Sequence, residues 1–195
     1  AMLRQAGFED TKVIVTGKHT YTAAFVNAEE AQYLVVEDAF PNGRPPLHLA
    51  GVYLTDRDTV NLTEKMKVGT CLNPLHTALA VFGCLLGYTS IHAEMQDADL
   101  GRLLHHLGHR EGMPVVADPG IISPAAFLNE VLTVRFPNPF LPDTPQRIAV
   151  DTSQKIPVRF GETLKAYTSR PDLKLSELVA IPLVFAAWLR YLMGI

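Results

Sequence analysis

A lysine, an asparagine and a histidine stand just ahead of a long apolar segment in MKVGTCLNPLHTALAVFGCLLG, residues 66–87. Pro74 suits the first turn of a helix, where its missing N–H costs nothing, and Asn73 is a favoured N-cap residue. The sequence therefore predicts a helix that begins at Asn73, with His76 near the positive end of the helix dipole. Lys67 lies upstream. Together these side chains could give a proton and hydrogen bonds to one substrate oxygen.

A second polar group follows the proline-dense stretch FPNPFLPDTP, residues 136–145. Arg147, Asp151 and Lys155 recur every four residues, and on one continuous helix they would form a ladder of ion pairs. A solvated ladder and a substrate site explain this spacing equally well. The proline-rich approach favours a site, because so rigid a loop is a costly way merely to join two helices.

These patterns also have a non-catalytic explanation. Asparagine caps many helices and a histidine in a first turn is usually only solvated, so the residues alone leave open a helical interaction module. His105, His106 and His109 have spacings that could suit a metal, but no carboxylate or cysteine completes a set. We expect these histidines to end a surface helix, and we expect no metal.

The elements that position these residues change character along the chain. Strands are predicted in TKVIVTG, TYTAAFVN and QYLVVED, and PNGRPP at residues 41–46 ends this pattern. The later signals are helical, near residues 56–67, 74–87, 97–108, 124–134, 144–150, 158–168 and 174–193. We therefore expect a mainly α fold, with a small β or α/β part in residues 1–56 and a helical domain in residues 57–195.

Composition narrows the choice of partners. The chain is 48% hydrophobic with a net charge of −3 and no run of like charges, which gives no reason to expect nucleic acid or a membrane surface. The terminal run LVAIPLVFAAWLRYLMGI contains Pro182 and Arg190, so we expect a buried helix and not a membrane span. Cys71 and Cys84 lack paired spacing, which favours free thiols and a cytoplasmic location. A small-molecule substrate is the expected partner.

The glycines give an informative negative result. Neither G-x-G-x-x-G nor G-x-x-x-x-G-K occurs in the 195 residues, so the sequence holds no recognisable loop for a nucleotide phosphate. Any nucleotide cofactor would have to be bound mainly by another domain.

Several blocks, in the same order, resemble the polyol-specific long-chain dehydrogenases, the family of mannitol 2-dehydrogenase and fructuronate reductase. The blocks are FVN at 25–27, VVEDAFPNGRPPL at 35–47, EKMK at 64–67, LNPLHTALAVFG at 72–83, RFPNPF at 135–140 and RIAVDTSQKIPVRF at 147–160. The resemblance implies an NAD-dependent oxidoreductase, with NADP as an alternative. Its N-terminal Rossmann domain would bind the cofactor, and its helical C-terminal catalytic domain would resemble that of 6-phosphogluconate dehydrogenase.

On this resemblance the chain is the C-terminal domain with the last strands of its Rossmann neighbour. Such a fragment should be inactive alone and should expose an apolar face that favours self-association. The implied substrate is a sugar acid or a polyol. We favour the pair mannonate and fructuronate, and mannitol with fructose is the alternative.

The resemblance also implies roles for individual residues. Lys67 corresponds to the general acid/base, Glu64 to the carboxylate that modulates it, and Asn73 and His76 to the pair that binds the reacting oxygen. The distal substrate anchors would be Arg147 and Lys155.

One departure from the family concerns the spacing of the lysine and the asparagine. Five residues separate Lys67 from Asn73, whereas the better-known members have four. An unbroken α-helix would put Lys67 and His76 on opposite sides of its axis. We therefore predict an interruption at residues 68–72, either a π-type bulge or a full break with the next helix starting at Pro74.

Overall fold

The computed structural model describes residues 14, 15, 17, 21, 22 and 34–194. By its internal contacts the chain divides into two units, Ala1–Gln32 and Tyr33–Ile195. In the first unit, strand β1 (Ile14–Val15) pairs antiparallel with strand β2 (Tyr21–Thr22). Both strands fall within the predicted runs 11–17 and 20–27, whose other residues, apart from Gly17, lie outside the described part of the chain.

A parallel pair of strands opens the second unit. Strand β3 (Val35–Glu37) lies beside strand β4 (Tyr53–Thr55), and a 3₁₀ turn (Leu47–Ala50) lies between them in sequence. The sequence analysis missed β4, because it expected only helical structure after residue 46. Both strands belong to the unit that carries the helices, whose boundary is at Tyr33. The assignment of residues 1–56 to a neighbouring domain stays a prediction.

Helices make up most of residues 34–194, which confirms the expected mainly α fold. Three of the α-helices continue directly into a π-helical turn. The α-helices are α1 (Arg57–Met66), α2 (Asn73–Leu86), α3 (Ile91–Glu94), α4 (Ala98–His105), α5 (Pro124–Glu130), α6 (Pro145–Ile148), α7 (Thr152–Ser169) and α8 (Ala180–Leu192). The π-helical turns are π1 (Lys67–Cys71), π2 (His106–Gly112) and π3 (Val131–Arg135), and 3₁₀ turns lie at Met113–Val115 and Leu175–Glu177.

Helix α2 runs through the centre of the core. Leu75, Ala78 and Leu79 are at most 1% exposed, and the helix packs against α6, α7 and α8. Gly83 permits close packing here, because a Cβ atom at this position would lie 2.6 Å from both Cδ of Glu94 and Cγ of Pro145. The helical run Arg57–Leu86 is long and apolar enough to cross a membrane, but 61% of its apolar window is buried, as in the core helix of many soluble proteins.

The junction between α1 and α2 is interrupted, as predicted. The Leu72 N–H donates to the Lys67 carbonyl at 3.1 Å, which closes a turn one residue wider than an α-helical turn. The predicted N-cap was wrong: Leu72, with φ −130° and ψ −61°, occupies that position, and Asn73 is already helical.

The ion-pair ladder, one of the two explanations left open for residues 147–155, does not form. Asp151 has a left-handed backbone, with φ 57°, and separates α6 from α7. Arg147 and Lys155 therefore lie on different helices, and their side chains do not stack along one face. Helix α7 begins at Thr152, six residues before the predicted start at 158.

The last helix begins later than predicted, at Ala180, after the 3₁₀ turn Leu175–Glu177. It buries Ala180, Ile181, Val184 and Ala187. Its other side, with one residue at each end, exposes the apolar side chains of Val179, Leu183, Leu189, Leu192 and Met193. This surface is of the kind expected for self-association, which stays a prediction.

Candidate active site

Lys67 and Glu64 line one cavity beside strand β3. The cavity has a volume of about 170 Å³, and its other lining residues are Leu34, Val35, Val60 and Thr63. Lys67 is half-buried where α1 passes into π1, and Glu64 is exposed one turn earlier. Within residues 34–194 the Lys67 ammonium makes no hydrogen bond or ion pair, so it is available to a ligand.

Glu64 also borders a wider groove of about 710 Å³ between α1 with π1 and α7. Lys65 and Glu162 face each other in its wall, with Nζ 3.8 Å from the carboxylate oxygen. Neither Lys67 nor His76 lines this groove. The chemistry predicted from the sequence therefore lies in the smaller cavity and around His76.

His76 is held in the first turn of α2 between an aromatic ring and a carboxylate. Its ring centroid lies 5.3 Å from that of Phe136, at a tilt of 34°. Its Nε2 lies 3.5 Å from Oδ2 of Asp143, a contact that would be an ion pair only if the imidazole were protonated. Nε2 is buried and has no hydrogen-bond partner within the described residues. Buried polar atoms without a partner are rare in folded proteins, and a functional role is one of their explanations.

The environment of His76 keeps its imidazole neutral. Burial lowers the pKa of His76 to about 4, and Asp143 only partly opposes this effect. The guanidinium groups of Arg135, Arg159 and Arg147 lower the pKa further, because they repel a second positive charge. At neutral pH the ring therefore carries one N–H and can donate one hydrogen bond.

The side chain of Asn73 is not used as a cap. Its amide makes no hydrogen bond within residues 34–194, while its backbone carbonyl accepts from Oγ1 of Thr77 at 2.9 Å. The amide thus stays free at the beginning of α2, one turn before His76. This arrangement suits the predicted role of binding an oxygen.

Arg147 and Lys155 are both engaged by residues at the two ends of α6. Arg147 donates to Asp143, the carboxylate that also faces His76. Lys155 donates to the carbonyl of Ile148 at 3.0 Å and to that of Val150. Burial, followed by the charge of Arg159, lowers the pKa of Lys155, and Asp151 opposes this effect.

The sequence analysis missed three groups around His76: Asp143, Phe136 and Arg159. Asp143 and Phe136 lie in the proline-dense stretch that was singled out for its rigidity, so a signal for them existed. Arg159 lies on α7, and its Nη1 donates to Oγ1 of Thr77 at 2.5 Å. Nothing in the local sequence connects it to a residue 82 positions away.

The structure therefore arranges the predicted residues in two groups. His76, Arg147 and Lys155 share one charged neighbourhood, and Lys67 with Glu64 lines the cavity beside β3. No hydrogen bond or ion pair joins Lys67 to His76 within the described part of the chain. The catalytic roles of both groups stay a prediction. Within residues 34–194, the structure brings no three histidine, cysteine or acidic side chains together as a metal site.

Comparison with known proteins identifies relatives along the whole chain. A family model described as the mannitol dehydrogenase C-terminal domain matches residues 60–195. The D-mannonate oxidoreductase of Thermotoga maritima is 63% identical over 195 residues, which are 99% of this chain and 36% of that protein. Mannitol dehydrogenase DSF1 of Saccharomyces cerevisiae is 34% identical over 170 residues, 87% of this chain and 32% of that protein.

A solved structure has the same fold. Mannitol 2-dehydrogenase of Pseudomonas fluorescens, in a ternary complex with NAD and D-mannitol, aligns with a TM-score of 0.68 and 32% identity. The alignment covers 81% of this chain and 30% of that one. The chain thus spans about one third of the length of these relatives.

Proposed function

The chain belongs to the family of the mannitol dehydrogenase C-terminal domain, and from this premise we propose that it is the catalytic domain of an NAD-dependent oxidoreductase that interconverts D-mannonate and D-fructuronate. The observation that carries the proposal is the 63% identity to a D-mannonate oxidoreductase along the chain. A mannitol dehydrogenase reaches only 34%. Interconversion of mannitol and fructose is therefore the less supported alternative.

Oxidation of the secondary alcohol to a ketone removes a proton from the hydroxyl group. In our proposal the uncharged amine of Lys67 accepts this proton, and its ammonium returns it when the ketone is reduced. The absence of a carboxylate partner for Lys67 within residues 34–194 supports this role, because a tight ion pair would hold the proton in place. Glu64, on the same cavity, would adjust the charge around the lysine.

Asn73 and His76 would hold the reacting oxygen. Negative charge builds on that oxygen as the ketone is reduced, so fixed N–H donors stabilise the transition state. The free amide of Asn73 and the buried, unbonded Nε2 of His76 are suited to this task. Because its pKa is about 4, the His76 ring is neutral at pH 7 and has no extra proton to give to the substrate oxygen. It would serve as a neutral hydrogen-bond donor.

NAD, when bound, accepts the hydride that leaves the carbon. The sequence contains no glycine-rich loop for the diphosphate of such a cofactor. We therefore assign its binding to a Rossmann domain in the part of the parent protein that this chain does not cover. The complex of a relative with NAD and D-mannitol supports this choice of cofactor.

The proposal is tested in the full-length parent enzyme by the Lys67→Ala variant. We expect kcat for D-mannonate oxidation to fall by about 10²- to 10⁴-fold, because the proton acceptor is lost. The dissociation constant for NAD should change little, since Lys67 acts on the substrate. Steady-state kinetics and a fluorescence titration with NADH measure the two quantities.

Lys65→Ala is the matched control, because Lys65 lies two residues away and faces Glu162. Its kcat should stay within about threefold of the wild-type value, as for most exposed charges. An unchanged kcat in Lys67→Ala would remove this lysine from the mechanism. Wild-type activity on D-mannitol without activity on D-mannonate would favour the alternative substrate.

A further inference from the structure

Two cations lie one turn apart on α7 and lack a carboxylate partner. Lys155 and Arg159 have the i, i+4 spacing that places side chains next to each other on one helix face. Like charges at this spacing destabilise a helix. Within residues 34–194 neither cation has a carboxylate within ion-pair distance, whereas Arg147 is paired with Asp143. The structure therefore keeps two adjacent positive charges unneutralised.

The protein holds both cations by neutral groups. Lys155 donates to the carbonyls of Ile148 and Val150, and Arg159 donates to the hydroxyl of Thr77 at 2.5 Å. These contacts fix the positions of the charges without cancelling them. The remaining N–H groups of Arg159 make no hydrogen bond within the described residues.

Both cations are half-buried, and Arg159 lies close to His76. Burial lowers the pKa of Arg159 and, as the main cause, that of Lys155. Arg159 also lowers the pKa of His76 and of Lys155, which places its guanidinium near both. Partial removal of two like charges from water is costly, and an anionic ligand would offset that cost.

A carboxylate fits this arrangement better than a hydroxyl group does. A guanidinium can give two parallel N–H bonds to the two oxygens of a carboxylate, and an adjacent ammonium can add a third bond. A hydroxyl group would leave both positive charges uncompensated. The site is therefore suited to a substrate that carries a carboxylate at one end.

We propose that Arg159 binds the carboxylate of the substrate, with Lys155 beside it, and so sets the preference for sugar acids over neutral polyols. This inference rests on the proposed function and adds Arg159 to it as a specificity-determining residue. Arg147 is paired with Asp143. Its main role is then to position the Asp143 carboxylate beside His76.

The test compares D-mannonate with D-mannonamide, its neutral carboxamide, in the full-length enzyme with NAD. In Arg159→Gln we expect kcat/KM for D-mannonate to fall about 100-fold, chiefly through KM, because a half-buried charge pair is lost. The amide should change by less than about threefold, since it makes no charge pair. If the amide is not turned over, its inhibition constant against D-mannonate gives the same comparison.

Two further variants keep the test decisive. Arg159→Lys retains the charge without the planar fork and should recover part of the preference for the acid. Arg102→Gln removes an exposed arginine that pairs with Asp99 and should leave both substrates unaffected. The inference would be overturned if the ratio of kcat/KM for the acid to that for the amide were the same in both Arg159 variants as in the wild type. A wild-type enzyme inactive on D-mannonate would overturn the proposed function itself, and this inference with it.

Discussion

Two buried glutamates occupy opposite kinds of environment. Glu111, 2% exposed, lies in π2 and accepts the backbone N–H groups of Val179, Ala180 and Ile181 at 2.6, 2.7 and 2.8 Å. Glu94, 0% exposed, ends α3, and neither of its carboxylate oxygens has a hydrogen-bond partner within residues 34–194. The two side chains are equally deep, but only one is surrounded by donors.

The difference shows that donors, and not depth alone, decide whether the surroundings of a buried carboxyl stabilise it. Burial raises the pKa of Glu94 to about 8, so this group is mostly protonated at neutral pH. Glu111 instead faces the three N–H groups that would otherwise be unpaired where α8 begins. Glu111 therefore caps the start of α8. Glu94, which lies against Gly83, should destabilise the fold when it is ionised.

The largest effect is expected for Glu111→Ala. Three buried N–H groups would lose their acceptor, so the free energy of unfolding should fall by about 3–5 kcal/mol. Urea denaturation of the chain, followed by the fluorescence of its one tryptophan, Trp188, measures the loss. Glu177→Gln is the control, because this exposed glutamate pairs only with Lys174. A loss as small as that of the control would mean that α8 begins without the carboxylate.

An intermediate effect of opposite sign is expected for Glu94→Gln. The unfolded carboxyl ionises above pH 4.5 and the folded one above about pH 8, so stability should fall as the pH rises between these values. The glutamine variant cannot ionise and should escape this loss. It should match the wild type at pH 4 and be more stable by about 3 kcal/mol at pH 7.

Denaturation at pH 4, 7 and 9 checks this prediction. The advantage of Glu94→Gln should persist at pH 9 and vanish at pH 4. Equal stability of variant and wild type at all three values would show that the charged carboxylate has a partner and that the contrast with Glu111 is wrong.

The smallest effect is expected for His106→Ala. The Nε2 atom of His106 lies 3.4 Å from Oε1 of Glu111, but the imidazole is 46% exposed, so solvent screens the pair. The free energy of unfolding should fall by less than about 1 kcal/mol at pH 6. A loss comparable to that of Glu111→Ala would assign the stabilisation to the ion pair and not to the backbone donors.

Local sequence signals predicted much of the helical part. Prolines, glycines and apolar spacing located α1, α2 and α5 closely, and the extra residue before Asn73 located π1. The same signals failed at β4, because three residues of strand depend on a partner strand 18 positions earlier. They also failed at Asp151, because a left-handed residue other than glycine has only a weak sequence signature.

The candidate site was predictable only where its residues are close in sequence. Lys67, Asn73 and His76 lie on one stretch, so the sequence could group them as candidates. Of the three, only Lys67 lines the cavity beside β3, and their joint role stays a prediction. Asp143 and Arg159 approach His76 and Thr77 through tertiary packing, which no local pattern encodes. The environment of Glu94 depends likewise on the packing of α2 and α6.

The π1 turn has a consequence for the evolution of this domain. A turn closed by a bond from Leu72 to Lys67 contains one residue more than an α-helical turn, so a single insertion is confined to Lys67–Cys71. The flanking helices keep the faces that they bury. Gains and losses of one codon can then accumulate between α1 and α2 among homologues without repacking the core, and alignments of such sequences should place a gap at this turn.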